Sequence, residues 1–130
     1  MKAMLAQSAQ SGIRPVVVQR GSTWLILGAR CPNCHQSYGI KVYRCSVCSS
    51  VVEEQLFGPR GTIWSHTTIA IPVPDRESPY TIAYVDLDDG PRVLAIVPNI
   101  EASRVGVGAR VTLSGMTTTS DPLVALKEEP

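Results

Sequence analysis

The cysteines of this chain fall into two Cys-x2-Cys pairs, CPNC at residues 31 to 34 and CSVC at residues 45 to 48, and there are no others. Each pair is a tight knuckle able to aim two sulfurs at one ion, and tetrahedral Zn2+ accepts four thiolates at about 2.3 Å. The spacing therefore predicts a zinc ribbon with Cys31, Cys34, Cys45 and Cys48 as ligands. Such a site is closed, so the ion would be structural, with no position left for water or substrate. Disulfides or free structural thiols, and iron in the same sulfur cage, are the alternatives. His35, next to Cys34, is a conceivable ligand that four sulfurs make unnecessary. Zinc binding, on the order of 10 kcal/mol or more, would supply the stability that so short a segment cannot draw from a core. Arg30 and Arg44 directly precede the two pairs and are placed to offset the negative charge of a tetrathiolate site.

Committing every cysteine to metal leaves no thiol nucleophile. His35 and His66 are the only histidines, and no GxSxG elbow, P-loop or HExxH motif accompanies them. The plain reading of His66 is a strand residue on a half-buried face, and that of Asp86, Asp88 and Asp89 is a solvated turn. The start, MKAMLAQSAQSG, lacks the apolar core of a signal peptide, and no run approaches the roughly 18 apolar residues of a membrane span. A cytoplasmic location is expected, where thiols stay reduced and paired Cys-x2-Cys motifs are more often metal sites than disulfides.

Along the chain, residues 1–23 begin as a polar tail or a short helix, 24–57 form the expected ribbon and 58–130 the expected barrel. PVVVQR (15 to 20) and TWLILGAR (23 to 30) read as strands. HQSYGIKVYR, between the cysteine pairs, reads as a small hairpin turning near Gly39. TIWSHTTIAI (62 to 71) alternates, placing Trp64 and His66 on one face and Ile63 and Ser65 on the other. PVPDRESP is a loop. YTIAYVDL and RVLAIVP form a hairpin across DDGP, with Asp89-Gly90 expected to supply positive backbone angles. EASRVGVG can hold one helical turn, and ARVTLSGM and PLVALK are the last strands. Five short strands from residue 62 onward bury their faces most economically by closing into a barrel. The fold class expected is all-β, a rubredoxin-like zinc ribbon followed by a five-stranded OB-fold barrel, with an SH3-like barrel as the alternative.

A ribbon joined to an OB barrel first suggests nucleic acid, and a single-stranded nucleic-acid-binding protein is the alternative function. Charge argues against it. Residues 1–61 carry seven basic side chains against two acidic ones, but residues 62–130 carry five basic against nine acidic. A phosphate-tracking groove needs a basic stripe with stacking aromatics.

The succession CPNC, CSVC, LFGPRGTIWSHTTI, PYTIAYVDLDDGPRVLAIV and VGVGARVTL, over about residues 24 to 115, resembles a family of small proteins with a rubredoxin-like zinc ribbon and an OB-fold. Members of that family accompany thiolase-superfamily enzymes in acyl-CoA metabolism. The resemblance implies a non-catalytic accessory subunit in a hetero-oligomer: the partner carries the catalytic cysteine, and this chain helps bind a coenzyme A ester. Trp64 and His66 would then pack against pantetheine or adenine, and Arg60 and Arg92 would meet phosphates. The plainer alternative leaves Trp64 in the core and both arginines on the surface, and a third has this face packing against the partner protein. Two departures stand out: family knuckles read CxxCG, whereas His35 and Ser49 follow the pairs here, and the N-terminal helical segment of relatives is short or missing.

Overall fold

The computed structural model describes residues 14–74 and 77–126; the first thirteen residues of the expected N-terminal segment lie outside the described residues. Nine strands and one 3-10 helix, Asn99–Arg104, make up the regular structure among them. Strands β1 (Val16–Arg20), β2 (Thr23–Arg30), β3 (Ser37–Tyr38) and β4 (Glu53–Phe57) form an antiparallel sheet in which β2 pairs with each of the other three. Strands β5 (Arg60–Ile69), β6 (Tyr80–Leu87), β7 (Arg92–Val97), β8 (Arg110–Met116) and β9 (Pro122–Leu126) close into a barrel in the order β5-β6-β7-β9-β8. The parallel contact of β7 with β9, Ile96 opposite Leu123, closes the ring. This is the OB-fold arrangement rather than a meander. No helix among the described residues is long and apolar enough to cross a membrane.

Alternation builds the barrel interior. Ala83, Val85 and Leu87 of β6 and Val93, Ala95 and Val97 of β7 point inward with Ile63, Val111, Leu113 and Val124. The one buried hydroxyl residue among the described residues, Thr81, bonds the Thr68 hydroxyl at 2.8 Å, so it is not stranded without a partner. Ile26 of β2 and Phe57 of β4 belong to the same buried cluster. Ribbon sheet and barrel therefore share one core.

Two local expectations are corrected. Residues 35–44 do not form a hairpin at Gly39: Ser37–Tyr38 pairs back onto Ala29–Arg30 of β2, and Arg44 bridges to Val51. The chain at Gly39 crosses the barrel instead, so close that a Cβ there would lie 2.7 Å from Val93 Cγ1. The Asp88–Pro91 turn does join β6 to β7, but the positive-φ residues lie elsewhere, the glycines among them being Gly21, Gly58, Gly108 and Gly115. Four residues give the loop room to turn with right-handed angles, closed by Leu87 N donating to Pro91 O at 3.1 Å and Gly90 N to Leu87 O at 3.2 Å. Gly90 is required for a different reason: a Cβ would sit 2.5 Å from two carbons of the Phe57 ring.

Candidate metal centre and ligand face

Cys31 directly follows β2, Cys45 follows the Arg44 bridge, and the two knuckles they open face one another. All four sulfurs lie within 4.8 Å of one another. Cys31 and Cys48 are 3.5 Å apart and Cys34 and Cys45 3.4 Å. A disulfide needs about 2.05 Å, so the four cysteines are free thiols. A regular tetrahedron with arms of about 2.3 Å has edges of about 3.8 Å. The four sulfurs thus form a cage that can hold a metal ion such as zinc.

The knuckles repeat each other bond for bond. His35 N donates to Cys31 O and Ser49 N to Cys45 O, both at 2.9 Å; Cys31 N donates to Gln36 O at 2.9 Å and Cys45 N to Ser50 O at 2.8 Å. Donors from outside the four also point at sulfur: Asn33 Nδ2 at Cys48, and the Tyr38 hydroxyl and Val47 N at Cys45, each at 3.4 Å. These donors favour thiolate over thiol. Cys48 is drawn down to about 5, by the Ser50 side chain first and then by Asn33, and Cys45 is lowered, chiefly by the Tyr38 hydroxyl. At Cys34 the bond with the Gln36 backbone lowers the value, but the shared proton with Cys45, burial, and the neighbouring Cys48 and Cys31 outweigh it and push the thiol up to about 12. A divalent ion accepting all four as thiolates would remove that inequality.

His35 and Ser49, where the family pattern has glycine, adopt φ of 69° and 67°. A left-handed angle costs an L-residue roughly 1–2 kcal/mol, a cost glycine avoids at some expense of chain entropy. His35→Gly and Ser49→Gly are each expected to raise stability by about 0.5–1 kcal/mol, read as an upward shift of the denaturation midpoint. A fall in midpoint for both variants would refute the assignment of strain to these angles.

The residues expected to meet a ligand do not gather as the alternation implied. A bulge between Ile63 and Ser65 breaks β5, so that Ile63 pairs with Val85, Ser65 with Tyr84 and His66 with Ala83. Directly opposed residues share a face of the sheet. Trp64 is thereby turned outward beside Tyr84, 51% and 45% exposed; His66, opposite Ala83, is exposed too rather than half-buried, and lines a groove beside Tyr84. Trp64 is not a core side chain. Its ring meets Tyr84 edge-on, centroids 6.2 Å apart, and Arg92 Cζ lies 3.7 Å from its centroid. Arg92 in turn forks onto Asp86, Nε to Oδ1 at 2.5 Å and Nη2 to Oδ2 at 3.1 Å. The Asp86 carboxyl is held below its usual value by the Arg92 hydrogen bond, with the guanidinium charge assisting against burial. Arg110 forks likewise onto Asp88 and donates to Thr62 Oγ1 at 2.7 Å. The acidic turn is thus partly neutralised rather than simply solvated. Arg60 opens β5 opposite Thr112 and is exposed, its carbonyl accepting Asp88 N at 3.0 Å.

Beside the Trp64–Tyr84 pair runs a groove of about 110 Å³ lined by Ser65, His66, Thr67, Ile82, Ala83, Tyr84 and Leu94. A second hollow, about 280 Å³, lies past the Ile82–Ile96 pair against Tyr80, Ile96 and Pro98. Both open on the outer side of β6 and β7, the second and third barrel strands, which is the side OB-folds use for ligands. The missed bulge has no signature in a strand whose Ile, Ser, Thr and Ile alternate cleanly.

The model of the family "ChsH2, C-terminal OB-fold domain" matches residues 54–115. Residues 54–115 thus resemble the OB-fold domain of ChsH2-type proteins. Two curated relatives are called DUF35 domain-containing scaffold proteins. One, from Pyrococcus furiosus, is 30% identical over 91 residues, covering 68% of this chain and 66% of the relative. The other, from Methanocaldococcus jannaschii, is 24% identical over 92 residues, covering 68% and 65%. The chain thus spans just under two thirds of those relatives' length. Among solved structures the ChsH2-type fold recurs in an Ltp2–ChsH2(DUF35) aldolase (TM-score 0.67, 22% identity, 78% of this chain and 84% of that one). It recurs also in a DUF35 protein of unknown function from Sulfolobus solfataricus (TM-score 0.60, 18% identity, 79% and 76%).

Proposed function

We propose that this chain is a non-catalytic accessory subunit that assembles with a thiolase-like enzyme and helps bind its acyl-CoA substrate, its ribbon held by structural zinc. The observation that carries the reading is the convergence of all four cysteines in one cage: with a metal bound, no thiol is left for nucleophilic chemistry, which supports a non-catalytic role beside an enzyme that supplies the reacting group. The scaffold names of the two archaeal relatives and the pairing of ChsH2 with an aldolase support a role beside an enzyme. The half-exposed Trp64 and Tyr84 beside an apolar groove suit an adenine ring and a pantetheine or acyl arm. Arg60, exposed at the start of β5, remains the candidate for phosphate; Arg92, already forked onto Asp86, positions Trp64 instead.

Two exposed aromatics on this face of an OB-fold also favour single-stranded nucleic acid. The two readings part in a binding experiment. An acyl-CoA is titrated into the chain together with the thiolase-superfamily enzyme recovered with it from native extract, and oligothymidine into the chain alone at low and high salt. The reading expects acyl-CoA to bind the complex and Trp64→Ala to weaken it about tenfold, equivalent to about 1.4 kcal/mol and within the range of base–aromatic stacking. Oligonucleotide binding that falls steeply with salt, with no acyl-CoA binding, would reverse it.

A further inference from the structure

Arg30 and Arg44 stand at equivalent positions before the two knuckles and share a task. Arg30 Nη1 donates to His35 O at 2.8 Å and Arg44 Nη1 to Ser49 O at 3.2 Å, each arginine clasping the left-handed residue that closes its own knuckle. Among the contacts described, only Arg30 reaches beyond its knuckle. Its Nη2 donates to Asp89 O in the β6–β7 turn at 2.6 Å, its Nε to Gln55 Oε1 of β4 at 3.3 Å, and its Cζ lies 5.4 Å from the centroid of the Phe57 ring. The Asp89 carboxylate accepts Gly58 N at 3.0 and 3.3 Å, tying the same turn to the segment that joins ribbon to barrel.

We propose that Arg30 couples occupancy of the cysteine cage to the Asp88–Pro91 turn, so that metal binding and order of the turn support each other. This rests on the cage holding a metal. A guanidinium is planar and presents its donors in a fixed fork, so it cannot follow a displaced Asp89 carbonyl without releasing His35 O. His35 is bonded directly to the ligand Cys34, so a shift there moves a sulfur. On the barrel side the turn is flanked by Asp86 and Arg92, and Arg92 stacks on Trp64. The cage is thus linked through contiguous contacts to the aromatic face. Thermodynamic linkage makes such coupling equal in both directions. A change in the turn must therefore alter zinc affinity, although the turn supplies no ligand.

Gly90→Ala tests this from the barrel side, because its Cβ would lie 2.5 Å from two Phe57 ring carbons and 3.4 Å from Arg30 Nη2. Zinc affinity by chelator competition is expected to fall about tenfold, within the usual range of allosteric coupling. Amide exchange reads the other direction: stripping zinc should speed exchange at Gly58 and Gly90 about tenfold or more in the wild type. The difference should vanish in Arg30→Gln and persist in Arg44→Gln, which loosens a knuckle without touching the turn. Wild-type zinc affinity in Gly90→Ala, or exchange at Gly58 and Gly90 indifferent to zinc while the Val85 and Val111 amides stay protected, would overturn the proposal. If stripping unfolds the barrel as well, the affinity of Gly90→Ala decides. Should that variant fail to fold, Arg30→Lys takes its place, keeping the charge but not the fork; it must bind zinc more weakly than wild type, and undiminished affinity counts against the coupling. Failure of the wild type to take up zinc would instead defeat the cage reading, and the coupling with it.

Discussion

Replacing Cys45 by serine is expected to abolish tight metal retention and unfold the ribbon. Serine keeps the size of the side chain but offers zinc a hydroxyl in place of a thiolate, and a tetrathiolate site missing one arm loses much of a binding energy on the order of 10 kcal/mol. That is comparable with the whole stability of an ordinary domain, about 5–15 kcal/mol. Cys45 is buried and accepts hydrogen bonds from Tyr38 and Val47, so its loss also leaves the second knuckle without its organising atom. The damage should not stop at residue 57. Ile26 and Phe57 are packed into the barrel cluster, and the barrel should melt earlier once the sheet that holds them loosens. Thermal unfolding followed by near-ultraviolet circular dichroism, with and without a chelator, reads both effects. A Cys45→Ser protein melting with the wild type would refute the dependence of the ribbon on its cage.

Phe57→Ala is the second large effect. The ring is fully buried at the end of β4, where the ribbon sheet gives way to the barrel. It touches space that Gly90 leaves open on one side and Gly28 on another: a Cβ at Gly28 would lie 3.1 Å from Phe57 Cε2 and 2.0 Å from the Tyr38 carbonyl. The glycines on two sides of the ring have no side chain to extend into the space it would vacate, and truncation should cost about 3–5 kcal/mol, as for a buried phenylalanine. The urea midpoint should fall accordingly. A loss under about 1 kcal/mol would mean that ribbon and barrel do not share a core.

What could be read from the sequence was what depends on local chemistry. The cysteine spacing determines the cage because a Cys-x2-Cys turn has few ways to present two sulfurs. The five barrel strands were legible because Val, Ile and Thr alternate with polar residues and Gly or Pro separates the runs. The two residues departing from the knuckle pattern, His35 and Ser49, marked positions that do take left-handed angles. Contacts between distant segments were not legible. The bulge at Trp64 parts two side chains that strict alternation would align, and it is set by pairing with Tyr84 and Val85 some twenty residues on. Gly90 looked like a turn residue, which it is, but its lack of a side chain answers to Phe57. Arg30 looked like a charge beside the metal, and its bond to Asp89 spans 59 positions that no local pattern records. Arg92 likewise looked available for phosphate until the fold brought Asp86 and Trp64 against it.

Four thiols held by one ion would leave the chain without a nucleophilic cysteine, whereas a thiol left over would make it a candidate catalyst. Native mass spectrometry of freshly purified protein, followed by alkylation without denaturant, tests this directly. The expected result is the chain mass plus a single zinc, with no cysteine alkylated until the metal is chelated. A folded protein lacking metal, with one cysteine that alkylates at once, would contradict it.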